Sequence, residues 1–366
     1  MTKKTVLVAG ASGLVGYAAI RQFLEVGGCE VIAVSRRRPA NLGYEGIDGA
    51  RFIAADLTDA AACAATFGCL TGVTHVVYAA LHERPGLVAG WREAEQIAIN
   101  DAMLRNLLGP LERASPGLRH VSLLQGTKAY GVHVRPIPNP AREGRDEARD
   151  IPNFYWAQED FLRALSQGKR WHWSVFRPVL IVGVSQGSAM NLIPAIGVYA
   201  AMLRHDGQPL HYPAGAARVA QAVDAGLLAR AMAWAGDAEA GRNQVFNVTN
   251  GDVFTWPGVW PAIAAAFGMA PGEARPLSMA RGIAPRTSDW DDIRRRHNLI
   301  APGLDEFVGL SFQYADYSMG HGRTQPGQPN LVSTIKLAQV GFTEVMDTEA
   351  MFTQAIRAFR RQRLLP

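Results

Sequence analysis

The sequence has few cysteines, no long apolar run and no extended stretch of basic charge. Its three cysteines, Cys29, Cys63 and Cys69, show neither CxxC nor metal-ligand spacing, which favours reduced thiols and a cytoplasmic location. No apolar run approaches the ~20 residues of a membrane span. The first apolar run, of about five residues, is too short for a secretory signal. These absences predict a cytoplasmic protein without a membrane partner.

Basic residues are in modest excess but are dispersed. The net charge is +5, and the runs 36–38 and 294–296 are the arginine clusters that stand out. Nucleic-acid binding needs a continuous basic face, so no nucleic-acid partner is predicted. The nine histidines lack HxxH or HExxH spacing, which argues against a metal site. With 48% hydrophobic and 19% charged residues, the composition is that of a globular α/β protein.

The first half of the chain alternates between strand and helix patterns. Continuous apolar runs of this kind predict a parallel sheet covered by helices on both faces, a Rossmann-type doubly wound fold. The predicted strands are Thr5–Ala9, Glu30–Ser35, Arg51–Ala55, His75–Ala79, His120–Leu124 and Trp173–Phe176, and the helices between them are Leu14–Val26, Trp91–Arg113 and Asn153–Gln167.

The length of 366 residues favours one dinucleotide domain with a smaller appended lobe. We predict a Rossmann domain over 1–182, in which the proline-rich loop 131–152 resembles a lid. Residues 183–366 should form a smaller mixed C-terminal lobe that binds substrate, with some segments returning to the sheet. Helices are predicted there over Asn191–Arg204 and Ala217–Ala235.

A glycine-rich turn follows the first strand and opens the first helix. It reads Gly10-Ala11-Ser12-Gly13-Leu14-Val15-Gly16, a GxxGxxG spacing. Gly10 permits a tight turn, Gly13 lets the backbone approach a pyrophosphate, and Gly16 lets the helix pack closely on the strand. The motif alone is weak, but its position between a strand and a helix predicts a dinucleotide site that includes Ser12, Leu14 and Val15.

The end of the second strand predicts which dinucleotide binds. NAD-preferring sites place a carboxylate there to hold the ribose 2′-hydroxyl. This chain instead has Ser35-Arg36-Arg37-Arg38, and guanidinium groups suit a 2′-phosphate. The alternative is a solvated basic loop. The sequence therefore predicts NADP(H).

Residues after the next strands extend this site. Asp56 and Leu57 are placed to contact the adenine, and Ala79, Ala80 and Leu81 to line the pyrophosphate and nicotinamide ribose. Asp56 has an alternative role as a helix N-cap, since Thr58 and Asp59 follow it.

The Tyr-x-x-x-Lys pattern of most short-chain dehydrogenases is absent. Tyr155, at the start of the helix after the fifth strand, has Glu159 four residues later. Lys128 lies just past the fifth strand and could bring an ammonium group to the same place from the strand end. A nearby cation would lower the pKa of a phenol or assist it as a hydrogen-bond donor. The alternatives are a surface lysine and a chain without catalytic activity.

Several segments resemble the progesterone 5β-reductase/iridoid synthase family, whose members are extended, atypical short-chain dehydrogenases that use NADPH to reduce the C=C bond of enones and enals. They are Gln125–Gly131, Asn153–Asp160, Trp173–Pro178, Ser188-Ala189-Met190-Asn191-Leu192, Val198–Ala201 and Phe246–Phe254. They run through most of the chain, so the resemblance is far more specific than the glycine turn.

The resemblance implies a catalytic pair. The family's Gly-x-Lys-His-Tyr motif falls on Lys128, with Ala129 in place of the histidine, and its Asn-Phe-Tyr-Tyr motif falls on Tyr155, followed here by Trp156. Hydride would pass to the β-carbon of an enone, while Tyr155 and Lys128 stabilise the enolate. The two departures put the shape of the pocket and the identity of the substrate in question.

Further roles follow from the same resemblance. Asn100 is similar to the asparagine that organises short-chain dehydrogenase sites, although a helix residue bonded to backbone is the alternative. Cofactor contacts are expected from Gln125, Tyr155, Pro178, Leu180 and Ile181, and substrate contacts in the lobe from Ser188, Met190, Asn191 and Phe342. The apolar substrate candidates are equally well explained as core residues.

The predicted ligand is a small hydrophobic enone or enal, and the resemblance implies a homodimer for which the sequence has no independent signal. Two other functions stay open: carbonyl reduction, epimerisation or dehydration on the same fold, and NADP sensing without catalysis.

Overall fold

The computed structural model describes residues 4–39, 44–83, 90–188, 190–213 and 215–366. The chain divides into two compact units. Unit 1 extends to Val179 and also includes Gly226–Val248 and Val332–Glu344; unit 2 consists of Leu180–Ala225, Thr249–Leu331 and Val345–Pro366. The first segment of unit 1 thus ends at Val179, close to the predicted boundary at residue 182.

Unit 1 is built on a parallel sheet with helices between its strands. Its elements are β1 Lys4–Ala9, α1 Leu14–Val26, β2 Cys29–Ser35, β3 Arg51–Ala54, α2 Ala60–Phe67, β4 His75–Tyr78, α3 Ala94–Ala114, β5 His120–Leu124, α4 Phe154–Ser166, β6 His172–Pro178, most of α6 Ala225–Asp237, β10 Gln244–Val248 and α12 Ile335–Gln339. The seven strands lie in the order β10-β6-β5-β4-β1-β2-β3. The change of direction at β1 is the topological switch point of a doubly wound fold, which confirms the predicted fold class.

Unit 2 is mainly helical. Its elements are β7 Leu180–Val182, α5 Leu192–His205, β8 Leu210–His211, β9 Ala222–Asp224, α7 Trp256–Ala266, β11 Pro271–Gly272, α8 Met279–Gly282, α9 Thr287–Arg296, α10 Leu304–Val308, α11 Ser311–Met319 and α13 Thr348–Arg361. The unit has its own hydrophobic core around α5. This helix is buried on nearly all sides, which explains its uniformly apolar sequence.

Most predicted elements of the first half are present, and the differences lie at their ends. Trp91 belongs to a short 3-10 turn, Gly90–Arg92, and α3 begins only at Ala94. The predicted helix Ala217–Ala235 is wrong at its start, because Ala222–Asp224 pairs as strand β9 with β7. The seventh strand of the sheet, β10, comes from 183–366, from which some segments were predicted to return to the sheet, but its position was not predicted.

Three histidines lie in register at the amino ends of β4, β5 and β6: His75 pairs with His120, and His120 with His172. His75 and His120 are buried, and burial is the main reason that their pKa values are lowered, to about 4 and about 3.

In the part of the chain that the structure describes, no helix is long and apolar enough to cross a bilayer.

Candidate active site

The glycine turn between β1 and α1 has the tight geometry that its sequence predicts. Gly10 has a φ of +85°, and its N–H donates to the Val34 carbonyl of β2 at 2.9 Å. A Cβ at Gly10 would lie 2.7 Å from the backbone of Ala79 at the end of β4. Only glycine fits here, and the turn is thereby brought against residues 79 and 80.

The start of α1 has the features of an anion site. Its N-cap, Gly13, makes no side-chain capping bond, and the first turn contains no acidic residue. The first N–H groups of a helix have no partner within the helix and suit a phosphate. A Cβ at Gly16 would collide with the Gly10 carbonyl, so this glycine allows the helix to approach the turn rather than the strand. These residues fit a dinucleotide pyrophosphate.

The neighbouring members of the motif have structural roles as well. The Ser12 carbonyl accepts a hydrogen bond from the Tyr44 hydroxyl at 3.0 Å, and the Tyr44 ring packs on Tyr17 of α1. Leu14 is half-buried and Val15 is buried. Tyr44 was missed from the sequence, because no local pattern connects it with the glycine turn.

At the end of β2, Arg36, Arg37 and Arg38 are all exposed, and the Arg38 guanidinium also lies over the Phe52 ring at 5.7 Å. The Ser35 hydroxyl donates to the Arg37 carbonyl at 2.6 Å and so shapes this turn. Three positively charged side chains are therefore exposed at the carboxyl edge of the sheet.

Asp56 accepts hydrogen bonds from the Thr58 N–H at 3.0 Å and hydroxyl at 2.8 Å. These bonds, and more weakly the charge of Arg36, lower the pKa of Asp56. The N-cap of α2 is Asp59, so Asp56 shapes the preceding turn instead. Leu57 is buried in the core of unit 1, Ala79 and Ala80 are half-buried, and Leu81 is exposed.

Asn100 is fully buried in α3 and bonded to backbone. Its amide donates to the carbonyls of His82 and Gln96, and its Oδ1 accepts from the His82 N–H at 2.9 Å. The Asn100 carbonyl accepts from Gln158 of α4 at 2.8 Å. Asn100 thus ties the segment after β4 to α3, and α3 to α4.

Tyr155 lies in the first turn of α4 and is held there by Asn153. The Asn153 Oδ1 accepts from the Tyr155 N–H at 3.1 Å, as an N-cap does. A Cβ at Gly126 would lie 3.3 Å from the Tyr155 hydroxyl and 3.6 Å from the Pro178 carbonyl, so the phenol reaches the carboxyl ends of β5 and β6. Burial, and then the Glu83 charge, raise the pKa of Tyr155, which keeps the hydroxyl protonated.

Lys128 lies in a 3-10 turn, Thr127–Tyr130, directly after β5. Its carbonyl accepts from the Asn153 side-chain amide at 3.4 Å, so one asparagine connects the lysine turn with the start of α4. The Lys128 Nζ lies 3.5 Å from the centroid of the Trp91 ring, and Trp91 also contacts Tyr155 edge-on at 5.5 Å. The two polar groups are therefore brought together around Trp91.

Burial dominates the charge state of this lysine. It lowers the pKa of Lys128 to about 8, although the Glu83 carboxylate acts in the opposite direction. A cation is thus present at neutral pH and is lost at moderately alkaline pH. Sequence reasoning missed the contacts of Trp91 and Glu83, and it named Asn153 only as part of a family-like motif. Of the three, only Asn153 carries a local signal, as an N-cap residue type before a helix.

Glu159 occupies the position at which most short-chain dehydrogenases have lysine, and it is the centre of a buried charge network. Its carboxylate pairs with Arg163, Arg149 and the fully buried Arg177. Gln125 completes the network: its amide donates to the Tyr155 carbonyl and to Glu159, and its oxygen accepts from Arg177 at 2.8 Å. The Gln125 side chain supports α4, so a cofactor contact would fall to its backbone.

The long loop 131–152, which belongs to unit 1, is joined to strands β6 and β10 by polar contacts. Glu147 pairs with Arg177 at 2.6 Å, and Glu143 accepts from the Asn247 N–H at 2.6 Å. Burial acts to raise the pKa of Glu147, but the Arg177 charge and hydrogen bond outweigh it and lower the pKa. A movement of this loop as a lid would have to break that ion pair.

The remaining predicted residues lie in two places. In unit 2, Leu180 and Ile181 belong to β7. The Ser188 hydroxyl is hydrogen-bonded to Ser185, and Asn191 is the buried N-cap of α5. Met190 is half-buried, and Ala189 lies outside the described residues. Phe342 lies in unit 1 rather than in the second lobe, where its ring packs on Trp234 at 5.8 Å. These contacts give Phe342 a core role.

The fold is shared by sugar-nucleotide epimerases. The chain is similar to a putative epimerase from Burkholderia cenocepacia (TM-score 0.67, 18% identity, 98% of each chain covered). It is also similar to the UDP-glucose 4-epimerase of Thermus thermophilus in complex with NAD (TM-score 0.64, 19% identity, 97% of this chain and 99% of that chain). At these identities the likeness shows the fold alone, a Rossmann-type parallel sheet.

Sequence comparison shows the family to which the chain belongs. Residues 61–366 match the PRISE-like Rossmann-fold domain, and the chain belongs to that family. It is 30% identical to the short chain dehydrogenase gsfE of Penicillium aethiopicum over 99% of both chains. It is also 30% identical to the 3-oxo-Delta(4,5)-steroid 5-beta-reductase of Arabidopsis thaliana, over 98% of this chain and 92% of that one. A third relative, the (S)-8-oxocitronellyl enol synthase of Catharanthus roseus, is 29% identical over 100% and 93%. The predicted resemblance is confirmed.

Proposed function

We propose that this protein is an NADPH-dependent ene-reductase, which reduces the C=C bond of α,β-unsaturated ketones or aldehydes. The observation that carries the proposal is the meeting of Lys128 and Tyr155, from a strand end and a helix start, around one buried indole. The names of two full-length relatives, a Δ4,5-steroid 5β-reductase and an enol synthase, support the same reaction class.

The residues of unit 1 suit a dinucleotide with a 2′-phosphate. Residues 10–16 would hold the pyrophosphate against the start of α1, and Arg36 and Arg37 would pair with the 2′-phosphate. The bound cofactor supplies the hydride that reaches the β-carbon of the substrate. No carboxylate follows β2 directly, where one would repel the phosphate.

Tyr155 acts on the substrate oxygen. Because burial keeps its phenol protonated, the hydroxyl donates a hydrogen bond to the carbonyl oxygen as that oxygen gains negative charge. The Lys128 ammonium adds a positive charge at the same place. The resulting enolate takes its α-proton from solvent, so that one hydride and one proton are added across the double bond.

The experiment pairs enones with their saturated ketones and follows NADPH oxidation, with products identified by mass. We expect enones to become saturated carbonyls and the saturated partners to stay inert. Reduction of the ketones would instead assign the protein to the carbonyl reductases, and NADPH binding without any turnover would favour a sensor.

The variant Tyr155→Phe tests the assignment of the phenol. Loss of one donor to an oxyanion costs about 100-fold in kcat, and the dissociation constant for NADPH should stay nearly constant. Full turnover in this variant would contradict the role of Tyr155.

A further inference from the structure

Trp91 contacts both groups of the proposed catalytic pair, although none of the family-like motifs contains it. It is buried, at 2% exposure, in the turn before α3. The Lys128 Nζ stands over the face of its ring, and the Tyr155 ring meets it edge-on with an interplanar angle of 75°. One side chain thus contacts both the lysine and the tyrosine of the pair, which come from different elements.

Trp91 is itself oriented by two neighbours. Its indole N–H donates to the Glu83 carboxylate at 3.1 Å, and its ring packs on Phe154 at 4.9 Å. Phe154 is adjacent to Tyr155 in α4, and its ring contacts that of Tyr155 at 4.8 Å. The orientation of the indole is therefore set by contacts of its ring and by the hydrogen bond of its N–H group.

An indole face suits a partly desolvated ammonium group. The ring quadrupole attracts a cation, and among the aromatic side chains tryptophan does so most strongly. A buried lysine loses hydration and tends to become neutral, and the ring face replaces part of that hydration. The contact thus stabilises the charged form of Lys128 at the place where charge is needed.

We propose that Trp91 is a positioning residue whose indole face holds the Lys128 ammonium beside Tyr155, with Glu83 fixing the orientation of the indole. The proposal rests on the proposed function only for the roles of Lys128 and Tyr155. The contact itself is defined by the geometry of unit 1.

The charged groups around Lys128 allow the titration to be assigned. Among the described residues, the groups that interact electrostatically with Lys128, Tyr155 or His133 are Glu83, Arg92 and Arg177. Burial, and then the charges of Lys128 and Arg92, lower the pKa of His133 to about 4, so His133 stays neutral above pH 6. The raised pKa of Tyr155 keeps the phenol protonated. Lys128 is therefore the group of this cluster that titrates between pH 7 and pH 9.

The test compares Trp91→Leu, which keeps an apolar side chain but removes the ring, with Trp91→Phe, which keeps a smaller ring. Two profiles against pH are measured: kcat, and the rate at which acetic anhydride acetylates Lys128, read by mass spectrometry. For Trp91→Leu we expect kcat to fall ~2- to 30-fold and both midpoints to move ~0.5–1 pH unit below that of the unsubstituted protein. Trp91→Phe should lie between the two, and NADPH affinity should be unchanged.

Glu83→Gln is the second variant, and it keeps an acceptor for the indole N–H while removing the charge. Because the Glu83 charge raises the pKa of Lys128, the acetylation midpoint should again move to lower pH. Tyr317→Leu is the matched control, since it removes an exposed ring that lies under Arg218 at 5.7 Å in unit 2. We expect this control to leave both profiles in place.

A double-substitution cycle separates positioning from a general structural effect. In the Lys128→Met protein, Trp91→Leu should cause no further loss of kcat; an equal loss in both backgrounds would overturn the proposal. So would an unchanged or raised acetylation midpoint in Trp91→Leu, because the indole would then not stabilise the ammonium. If Lys128→Met alone keeps full turnover, the proposed catalytic role of Lys128 is wrong. The acetylation profiles of the proteins that retain Lys128 still report its contact with Trp91.

Discussion

At the residue scale, the site is defined by side chains whose surroundings change their usual behaviour. Lys128 loses charge at a lower pH than an exposed lysine, and Tyr155 keeps its proton to a higher pH. Together they form a donor and a cation rather than an acid–base pair that exchanges a proton. This difference suits the stabilisation of an enolate, which needs positive potential more than proton transfer.

The proposed preference for NADPH rests on two arginines at the end of β2. Replacing Arg36 and Arg37 together by alanine removes two exposed cations at the end of β2. We expect the KM for NADPH to rise about 10-fold, because charge-assisted bonds to the 2′-phosphate are lost and solvent screening limits their strength. The KM for NADH, measured in the same steady-state assay, should change little.

Arg38→Ala is the matched control for that experiment. Its guanidinium group lies over the Phe52 ring, and we expect the ratio of the two KM values to stay the same. If Arg38→Ala changes that ratio as much as the double variant does, the basic run acts only as a diffuse charge.

At the element scale, the site depends on how a strand end is joined to a helix start. Asn153 makes this connection, since its oxygen caps α4 at Tyr155 and its amide binds the carbonyl of Lys128. A typical short-chain dehydrogenase places both groups on one helix, where the helix geometry fixes their spacing. Here the spacing depends on a cap.

Asn153→Ala tests this connection. Loss of an N-cap should lower the free energy of unfolding by about 1 kcal/mol. We also expect kcat to fall roughly 10-fold, because the lysine turn is no longer fixed relative to the phenol. Denaturant unfolding and steady-state kinetics measure the two effects.

The control is Thr255→Ala, which removes the cap of α7 in unit 2. It should lower stability by a comparable amount without a change in kcat. If both variants lose activity equally, the effect of Asn153 is one of stability alone.

Element order and the glycine turn were predictable from sequence because they depend on local patterns. Apolar runs predicted most of the strands and helices of the first half, and the glycine spacing predicted the tight turn between β1 and α1. The start of α6 and the strand β10 were not predictable in this way, since β9 and β10 are defined by pairing with distant strands. Trp91 and Glu83 escaped for the same reason: their importance comes from Lys128, which lies more than thirty residues away along the sequence.

At the scale of the whole molecule, the buried histidines make stability depend on pH. His75 and His120 have lowered pKa values of about 4 and about 3 in the folded protein, against 6.5 in an unfolded chain. The unfolded state therefore binds more protons below pH 6.5. With respect to these two histidines, the free energy of unfolding is highest above that pH and falls as the pH decreases toward 4.

His120→Asn should reduce this dependence. The free energy of unfolding of the unsubstituted protein should drop more between pH 7 and pH 5 than that of the variant, by about 2 kcal/mol. Denaturant titrations at the two pH values measure the difference. His205→Asn, at an exposed site, should retain the full drop; an identical drop in His120→Asn would contradict the assignment.

The buried carboxylate of Glu159 also has an evolutionary consequence. A lysine at this position would recreate the sequence Tyr-x-x-x-Lys, but it would meet Arg149, Arg163 and the buried Arg177 with a like charge. Removing one partner of a buried ion pair is strongly destabilising. The Tyr-x-x-x-Lys arrangement is thus not one mutation away from this sequence, because the surrounding arginines would have to change as well.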